Sequence, residues 1–281
     1  MDNLRIMSHN VWKCDVNLPA WIEKGEDCSA ITRAKGMVRV YSETKPDVIG
    51  FQEMSTLMAN EIIGGLEKIN EHYGLIGGCD TPIMYKKDKF ELIYSDVLVY
   101  PTTIPNREGE FNNGGTKSWC VAVLKDLTDG KKIIFMSTHL WWMSSNPDNK
   151  NYRAGSDEAR TYQLNLAMDH LEKLYTEHQC PVVLVGDLNS NYNSQTVQNA
   201  LGRGYEHAHN IATVYADDDW GYHYCFGDGY KPYVKAPFEK AIDHILVKFA
   251  PQNFVERFER YTPDYYLPLS DHSPVFIDAI L

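Results

Sequence analysis

The sequence lacks a basic surplus. Its 281 residues carry 27 Lys and Arg against 38 Asp and Glu, a formal net charge of −11. A chain that held long duplex DNA or an anionic membrane by bulk charge would need the opposite sign. Enzymes that handle phosphate through a bound cation remain open, because the ion dominates the local field. Long apolar runs are missing too. Residues 133–136 and 182–185 are strand-sized, against the ~18 residues of a membrane span. The opening MDNLRIMSHNVW shows no basic segment leading into an apolar one, so no signal peptide is visible. The six cysteines (14, 28, 79, 120, 180 and 225) form no CxxC pair, which points to reduced thiols and the cytoplasm. A leader removed ahead of this start would instead make the protein secreted. The absence of HExxH, GxSxG and Walker A motifs removes zincin, hydrolase-elbow and NTPase chemistry. There is no repeat, low-complexity tract or Pro/Ser-rich linker, so 1–281 is expected to be one domain.

What is present alternates. Segments 4–12, 48–52, 82–85, 90–99, 119–124, 132–140, 182–188, 241–247, 254–260 and 274–280 read as strands. Segments 30–44, 55–73 and 156–178 read as helices, the first stopping before Pro46 and the second N-capped by Ser55. Thr128-Asp129-Gly130 is a hairpin signal joining two central strands. Helices between some strands and hairpins between others predict a mixed α/β layered fold. Three long connections, 102–117, 142–155 and 202–238, are candidates for function. The last is dense in aromatics, which suit a substrate platform and a self-packed subdomain equally well.

Polar residues gather at the strand ends. Asn10 lies late in the first strand, Glu53 ends the second, His139 ends the hairpin strand, and Asp187 with Asn189 ends the run PVVLV. Asp243 sits in AIDHILV, and Asp271-His272 precede the last strand. Each has an ordinary structural alternative: an Asx turn for Asp187 and Asn189, a helix cap or surface charge for Glu53, a buried core histidine for His139, a turn for Asp271-His272. Together, carboxylates, amides and histidines suit oxygen coordination of Mg²⁺ or Mn²⁺ better than zinc. A His–Asp pair beside such an ion suits attack of water on a phosphoester.

The ordered set SHNVW (8–12), GFQE (50–53), IMYKKDKFEL (83–92), STHLWW (137–142), VGDLNS (185–190), AIDHILV (241–247) and LSDHSPV (269–275) resembles the endonuclease/exonuclease/phosphatase superfamily of DNase I-like phosphoesterases. The resemblance runs along nearly the whole chain. It implies a four-layer α/β sandwich, two mixed sheets face to face with helices outside. It also implies roles: Glu53, Asn10 and Asp271 at a Mg²⁺ or Mn²⁺ ion; Asp187 and Asn189 at the attacking water and phosphate; His272 as base or transition-state stabiliser with Asp243 fixing its tautomer. His139 would bind a non-bridging oxygen. Arg160 and Gln163, one helical turn apart, would support the site. Lys117 or Arg107 would substitute for the family's phosphate-binding Tyr or Arg. Trp141 and Trp142 would stack a base, grip a lipid or pack under the next helix.

The implied activity is nuclease-like phosphodiester hydrolysis by a monomer. The acidic balance favours a small phosphodiester or single-stranded nucleic acid over long duplex DNA. Two alternatives stand beside it: a phosphomonoesterase or phospholipase of the same superfamily, and a non-catalytic nucleotide binder on this fold. Asp219, in the acidic stretch of the aromatic loop, is a further carboxylate expected near the cation.

Overall fold

The computed structural model describes residues 3–215, 225–232, 234 and 236–281. Asp219, Trp220, Tyr222, Tyr224 and Tyr233, singled out in the aromatic loop, lie outside the described residues. The chain begins with β1 (Leu4–Asn10), α1 (Pro19–Glu23), α2 (Ala30–Thr44), β2 (Val48–Gln52), α3 (Thr56–Glu67), β3 (Tyr73–Ile76) and β4 (Ile83–Lys86). It continues with β5 (Phe90–Val99), β6 (Ser118–Asp126), β7 (Lys132–His139), α4 (Ser156–His178), β8 (Val182–Asp187) and α5 (Gln195–Gly202). Short elements follow: β9 (Glu206–His207), α6 (Ala208–Ile211), β10 (Val214–Tyr215), β11 (Cys225–Phe226) and β12 (Gly229–Tyr230). The last strands are β13 (Asp243–Lys248), β14 (Val255–Arg260) and β15 (Val275–Ala279).

Two mixed sheets carry the fold, one ordered β10-β14-β15-β1-β2-β4-β3 and the other β5-β6-β7-β8-β13-β9. Alternation along the strands explains why they stack with helices outside. In β7, Ile133 and Phe135 face the inter-sheet core, whereas Ile134 and Met136 pack with Leu164, Met168 and Leu171 of α4. In β8, Val183 and Val185 face inward, whereas Val182 and Leu184 face the α4 layer. The other sheet mirrors this, with Ile6 and Val48 inside and Met7, Ile49 and Phe51 packed against α2 and α3. Three apolar seams between four layers make the expected α/β sandwich.

Helix 30–44 and helix 156–178 form at the expected bounds. The helix expected over 55–73 ends at Glu67, and Tyr73 instead opens β3 at the sheet edge. Asn70 adopts a left-handed backbone (φ 61°) in the intervening turn, which reverses the chain so that β3 can pair with β4. All six cysteines carry free thiols. No helix of the described residues is long and apolar enough to cross a membrane.

The sheets approach closely beneath one end of the sandwich. A Cβ on Gly50 of β2 would lie 2.5 Å from Val185 Cγ2 of the facing sheet. Beside it the Gln52 amide donates to Ser137 Oγ at 3.1 Å, and Ser137 Oγ donates to Phe51 O at 2.6 Å, binding sheet to sheet. Gly186 is tighter still: a Cβ there would sit 1.9 Å from the Thr138 carbonyl oxygen of β7. Backbone cannot yield as a flexible side chain can, so Gly186→Ala is expected to destabilise the fold by about 3 kcal/mol or more. Urea unfolding measures this, and an unchanged midpoint would contradict the packing described.

Candidate active site

Strand register assembles the site. In β1 and β2, which run parallel, Asn10 pairs with Gln52, and Glu53 follows directly. In the facing sheet His139 of β7 pairs with Asp187 of β8, and Asp187 pairs in turn with Asp243 of antiparallel β13. Neighbouring β6 aligns Ser118 with His139, which brings Lys117 to the same end. Four polar side chains from distant sequence thus stand in a row at the strand ends.

Asp187 and Asp243 are both buried and face the same imidazole. His272 Nδ1 donates to Asp243 Oδ2 at 2.8 Å, and its Nε2 lies 3.7 Å from Asp187 Oδ2. Burial works against charge on His272, but Asp243, Asp187 and Asp271 outweigh it and hold its pKa well above the usual histidine value. Burial is also the main influence on Asp187, whose carboxyl is pushed up to about 6 with help from Asp243 and against the pull of His272. Asp243 goes the other way. Burial opposes its ionisation, yet the charge and hydrogen bond of His272 keep it below the usual carboxylate value.

Ligand atoms of Asp187, Asp243 and His272 fall within 4.8 Å of one another, a spacing that could hold a metal ion. The imidazole is already committed between the two carboxylates, so a proton-handling chain describes this trio better than an ion cage.

On the other flank, Asp187 Oδ2 accepts from Asn10 Nδ2 at 3.1 Å, and Asp187 Oδ1 from the Asn189 amide at 2.8 Å. His139 Nε2 lies 3.5 Å from Asp187 Oδ2 and accepts from Lys117 Nζ at 2.7 Å. Burial, reinforced by Lys117 and His272, drives His139 well below its usual value, so it is a neutral imidazole and not an ion-pair partner. Burial likewise lowers Lys117, only partly offset by Glu53, Asp187 and Asp80.

Glu53 and Asp271 face this group. Glu53 adopts a left-handed backbone (φ 59°), as does Asn189 (φ 49°), a strain found where a structure holds side chains for use. Glu53 accepts from the Lys13 amide at 3.0 Å and from Asn10 Nδ2 at 3.4 Å. Burial pushes the Asp271 carboxyl up to about 6, with a smaller contribution from Glu53, and its Oδ1 is buried without a hydrogen-bond partner among the described residues. An orphaned carboxylate oxygen beside a second carboxylate and an amide fits a hard divalent cation. Glu53, Lys117, His139, Asp187, Asn189, Asp271 and His272 open on one cleft of about 410 Å³, lined also by Lys13, Asp80, Thr116 and Trp142, whereas Asn10 and Asp243 are buried and do not line it.

Several expected residues stand back from this cleft. Trp141 is packed in the core against Phe111, only 1% exposed, so it cannot present a face to substrate. Trp142, 42% exposed, lines the cleft in its place. Gln163 is buried, its Oε1 accepting from the Trp141 amide at 2.8 Å and its amide donating to Phe111 O at 3.0 Å. Arg160 donates to Met143 O at 2.7 Å and pairs with Asp157. Both therefore shape the loop after His139, and neither lines this cleft. Arg107 pairs with Glu158 on the surface.

One organising residue carried no sequence signal. Arg33 of α2, 1% exposed, donates to the carbonyls of Cys28, Val11, Leu269, Trp12 and Cys14. It ties the loop after Asn10 to the loop before Asp271. Ser270 Oγ adds a second tie, donating to Asn10 O at 2.7 Å.

A folded carboxyl held near 6 favours its protonated form, so its contribution is greatest below the unfolded pKa of about 4 and is lost as pH rises toward 6. Asp187→Asn removes that loss. The variant's thermal midpoint is expected to exceed the parent's at pH 7.5 in metal-free buffer and to converge with it only below about pH 4. A variant less stable than the parent at pH 7.5 would contradict the charge balance described.

Comparisons with known proteins agree with the fold. The sequence pattern of the Endonuclease/Exonuclease/phosphatase family matches residues 7–272. The CCR4-Not complex 3'-5'-exoribonuclease subunit Ccr4 of Kluyveromyces lactis is 26% identical over 187 residues, covering 54% of this chain and 22% of that protein. The chain thus spans about a fifth of the length of that curated relative. Among solved structures, an endonuclease/exonuclease/phosphatase family protein of Bacteroides thetaiotaomicron has a TM-score of 0.73 at 18% identity, covering 98% of this chain and 94% of that one. Mannosyl-6-phosphatase Bt3783 of the same species has a TM-score of 0.72 at 16% identity, covering 99% and 100%. TDP2 of D. rerio, solved with a single strand DNA product, has a TM-score of 0.67 at 20% identity, covering 100% of each chain. At these identities the structures speak for the fold alone, whereas the family pattern spans nearly all of the sequence. The chain belongs to the Endonuclease/Exonuclease/phosphatase family of phosphoesterases.

Proposed function

We propose that the chain is a divalent-cation-dependent phosphodiesterase, nuclease-like in mechanism, in which water attacks phosphorus in line with the departing oxygen. The observation that carries this reading is a single cleft lined by Glu53, Asp271, Asp187, His139 and His272, with Asp243 bonded behind His272. Glu53, Asp271 and Asn10 would hold the ion, Mg²⁺ or Mn²⁺, which when bound supplies positive charge against the phosphoryl oxygens.

The protein's own groups divide the remaining work. Asp187 orients the water and takes its proton, its carboxyl standing near 6, close to working pH. His272, kept cationic by its three carboxylates, faces the charge that develops on the phosphoryl group. Asp243 holds that imidazole by its Nδ1–H. Neutral His139, its Nε2 accepting from the Lys117 ammonium, has its Nδ1–H as the donor for a non-bridging oxygen. Asn189 lines the same wall beside the attacking position.

The acidic chain and the exposed face of Trp142 favour a single-stranded nucleic acid or a small phosphodiester over long duplex DNA. The same residues would also serve a phosphomonoester, and a panel of single-stranded and duplex DNA, RNA, inositol phosphates, hexose phosphates and sphingomyelin separates these substrates. With bis-p-nitrophenyl phosphate, EDTA is expected to abolish turnover. His272→Ala is expected to lower kcat by about 10²–10⁴-fold. Turnover that survives both, in a variant whose thermal unfolding shows it folded, would sink the reading.

A further inference from the structure

A second cleft of about 590 Å³ adjoins the catalytic one, and the two share Trp142 and Asn189 in their walls. Their chemistry differs. The catalytic cleft is lined mainly by charged groups, whereas this one, apart from Asp157, Arg160 and Lys240, is lined by uncharged side chains such as Trp142, Asn189, Ser190 and Asn193. Its walls come from the loop after β7 and the loop between β8 and α5, both anchored from behind. Arg160 holds the Met143 carbonyl at 2.7 Å, and His244 Nε2 donates to Ser190 O at 2.7 Å.

Two buried polar groups in the wall of this cleft lack a hydrogen-bond partner among the described residues. The Ser190 hydroxyl, on a residue 4% exposed, is buried without a hydrogen bond among the described residues. The Nε of Arg160, also 4% exposed, is in the same state. A buried hydroxyl left unpaired is costly unless a ligand or water completes it. Amides and hydroxyls beside one exposed tryptophan face match a hydroxyl-rich ring, whose O–H groups pair with them and whose C–H face lies against the indole. An acyl chain would strand those same groups unpaired.

We propose that this cleft is the subsite for a sugar ring attached to the scissile phosphate, with Trp142 as its platform and Ser190 as a specificity-determining hydroxyl. The inference rests on the phosphoester reading of the neighbouring cleft. A phosphate held there places the attached ring against Trp142, at the common wall. The ring's source is a nucleotide's pentose or a hexose phosphate.

Isothermal titration in Mg²⁺ buffer separates this proposal from the catalytic one, because it needs no turnover. The probes are uridine 5′-monophosphate, glucose 6-phosphate, dihexanoyl phosphatidate and inorganic phosphate. At least one sugar phosphate is expected to bind about tenfold tighter than inorganic phosphate, and which of the two does so identifies the source. Ser190→Ala and Asn193→Ala are expected to bring that ratio toward one. Asn193 is exposed, so its variant keeps the test open if Ser190→Ala folds poorly. Sugar phosphates no tighter than inorganic phosphate, a preference for the phosphatidate, or a ratio unmoved in both variants would overturn the proposal. Sugar binding without turnover of any phosphoester would instead overturn the catalytic reading and leave the subsite standing.

Discussion

Two carboxylates that repel one another are buried side by side in this protein. Asp187 and Asp243 are register partners on neighbouring strands, so the sheet fixes their proximity. Their ionisation is bearable only because His272 lies against both, taking Asp243 through Nδ1 and facing Asp187 with Nε2. The arrangement sorts the protons: Asp243 is held ionised, His272 is held cationic, and Asp187 is left with a raised pKa. Interacting groups pushed apart in this way are how one fold supplies both an acid and a base near neutral pH.

The rest of the architecture keeps that balance in place. Gly186 lets β8 lie close enough to β7 for Asp187 and His139 to meet, and Gly50 lets the opposing sheet bring Asn10 and Glu53 over them. His272 arrives on a loop outside either sheet, so its position depends on hydrogen bonds. Ser270 accepts from the His272 amide at 3.1 Å while donating to Asn10 O, and Arg33 fixes the Leu269 carbonyl. A buried guanidinium saturated by five carbonyls serves here as a rivet between the loop after Asn10 and the loop before Asp271.

Much of this was legible in the sequence, for a physical reason. Continuous apolar runs located the strands because both sheets bury both faces, and the polar residues breaking those runs lie where β1, β2, β7 and β8 end. Asp187, Asp243, His139 and His272 could therefore be named from their positions, although the roles given to them rested on the family resemblance. The misses came from features that sequence spacing does not encode. Trp141 and Trp142 are adjacent and alike, and only the loop path pinned by Gln163 and Arg160 buries one and exposes the other. Arg160 and Gln163 were rightly seen on one helical face, but that face serves the loop and not the catalytic cleft. Arg33 and the turn at Asn70 depend on distant carbonyls and on one left-handed residue, neither of which leaves a periodic trace.

In the proposed reaction, water activated at Asp187 attacks phosphorus directly, with no protein atom joined to the phosphoryl group on the way. The stereochemical course at phosphorus tests it most directly, using a phosphorothioate diester of known configuration hydrolysed in ¹⁸O-labelled water. A single in-line displacement predicts inversion at phosphorus with the label in the thiophosphate product. Retention of configuration would mean two displacements through a phosphorylated protein group, and would contradict the account.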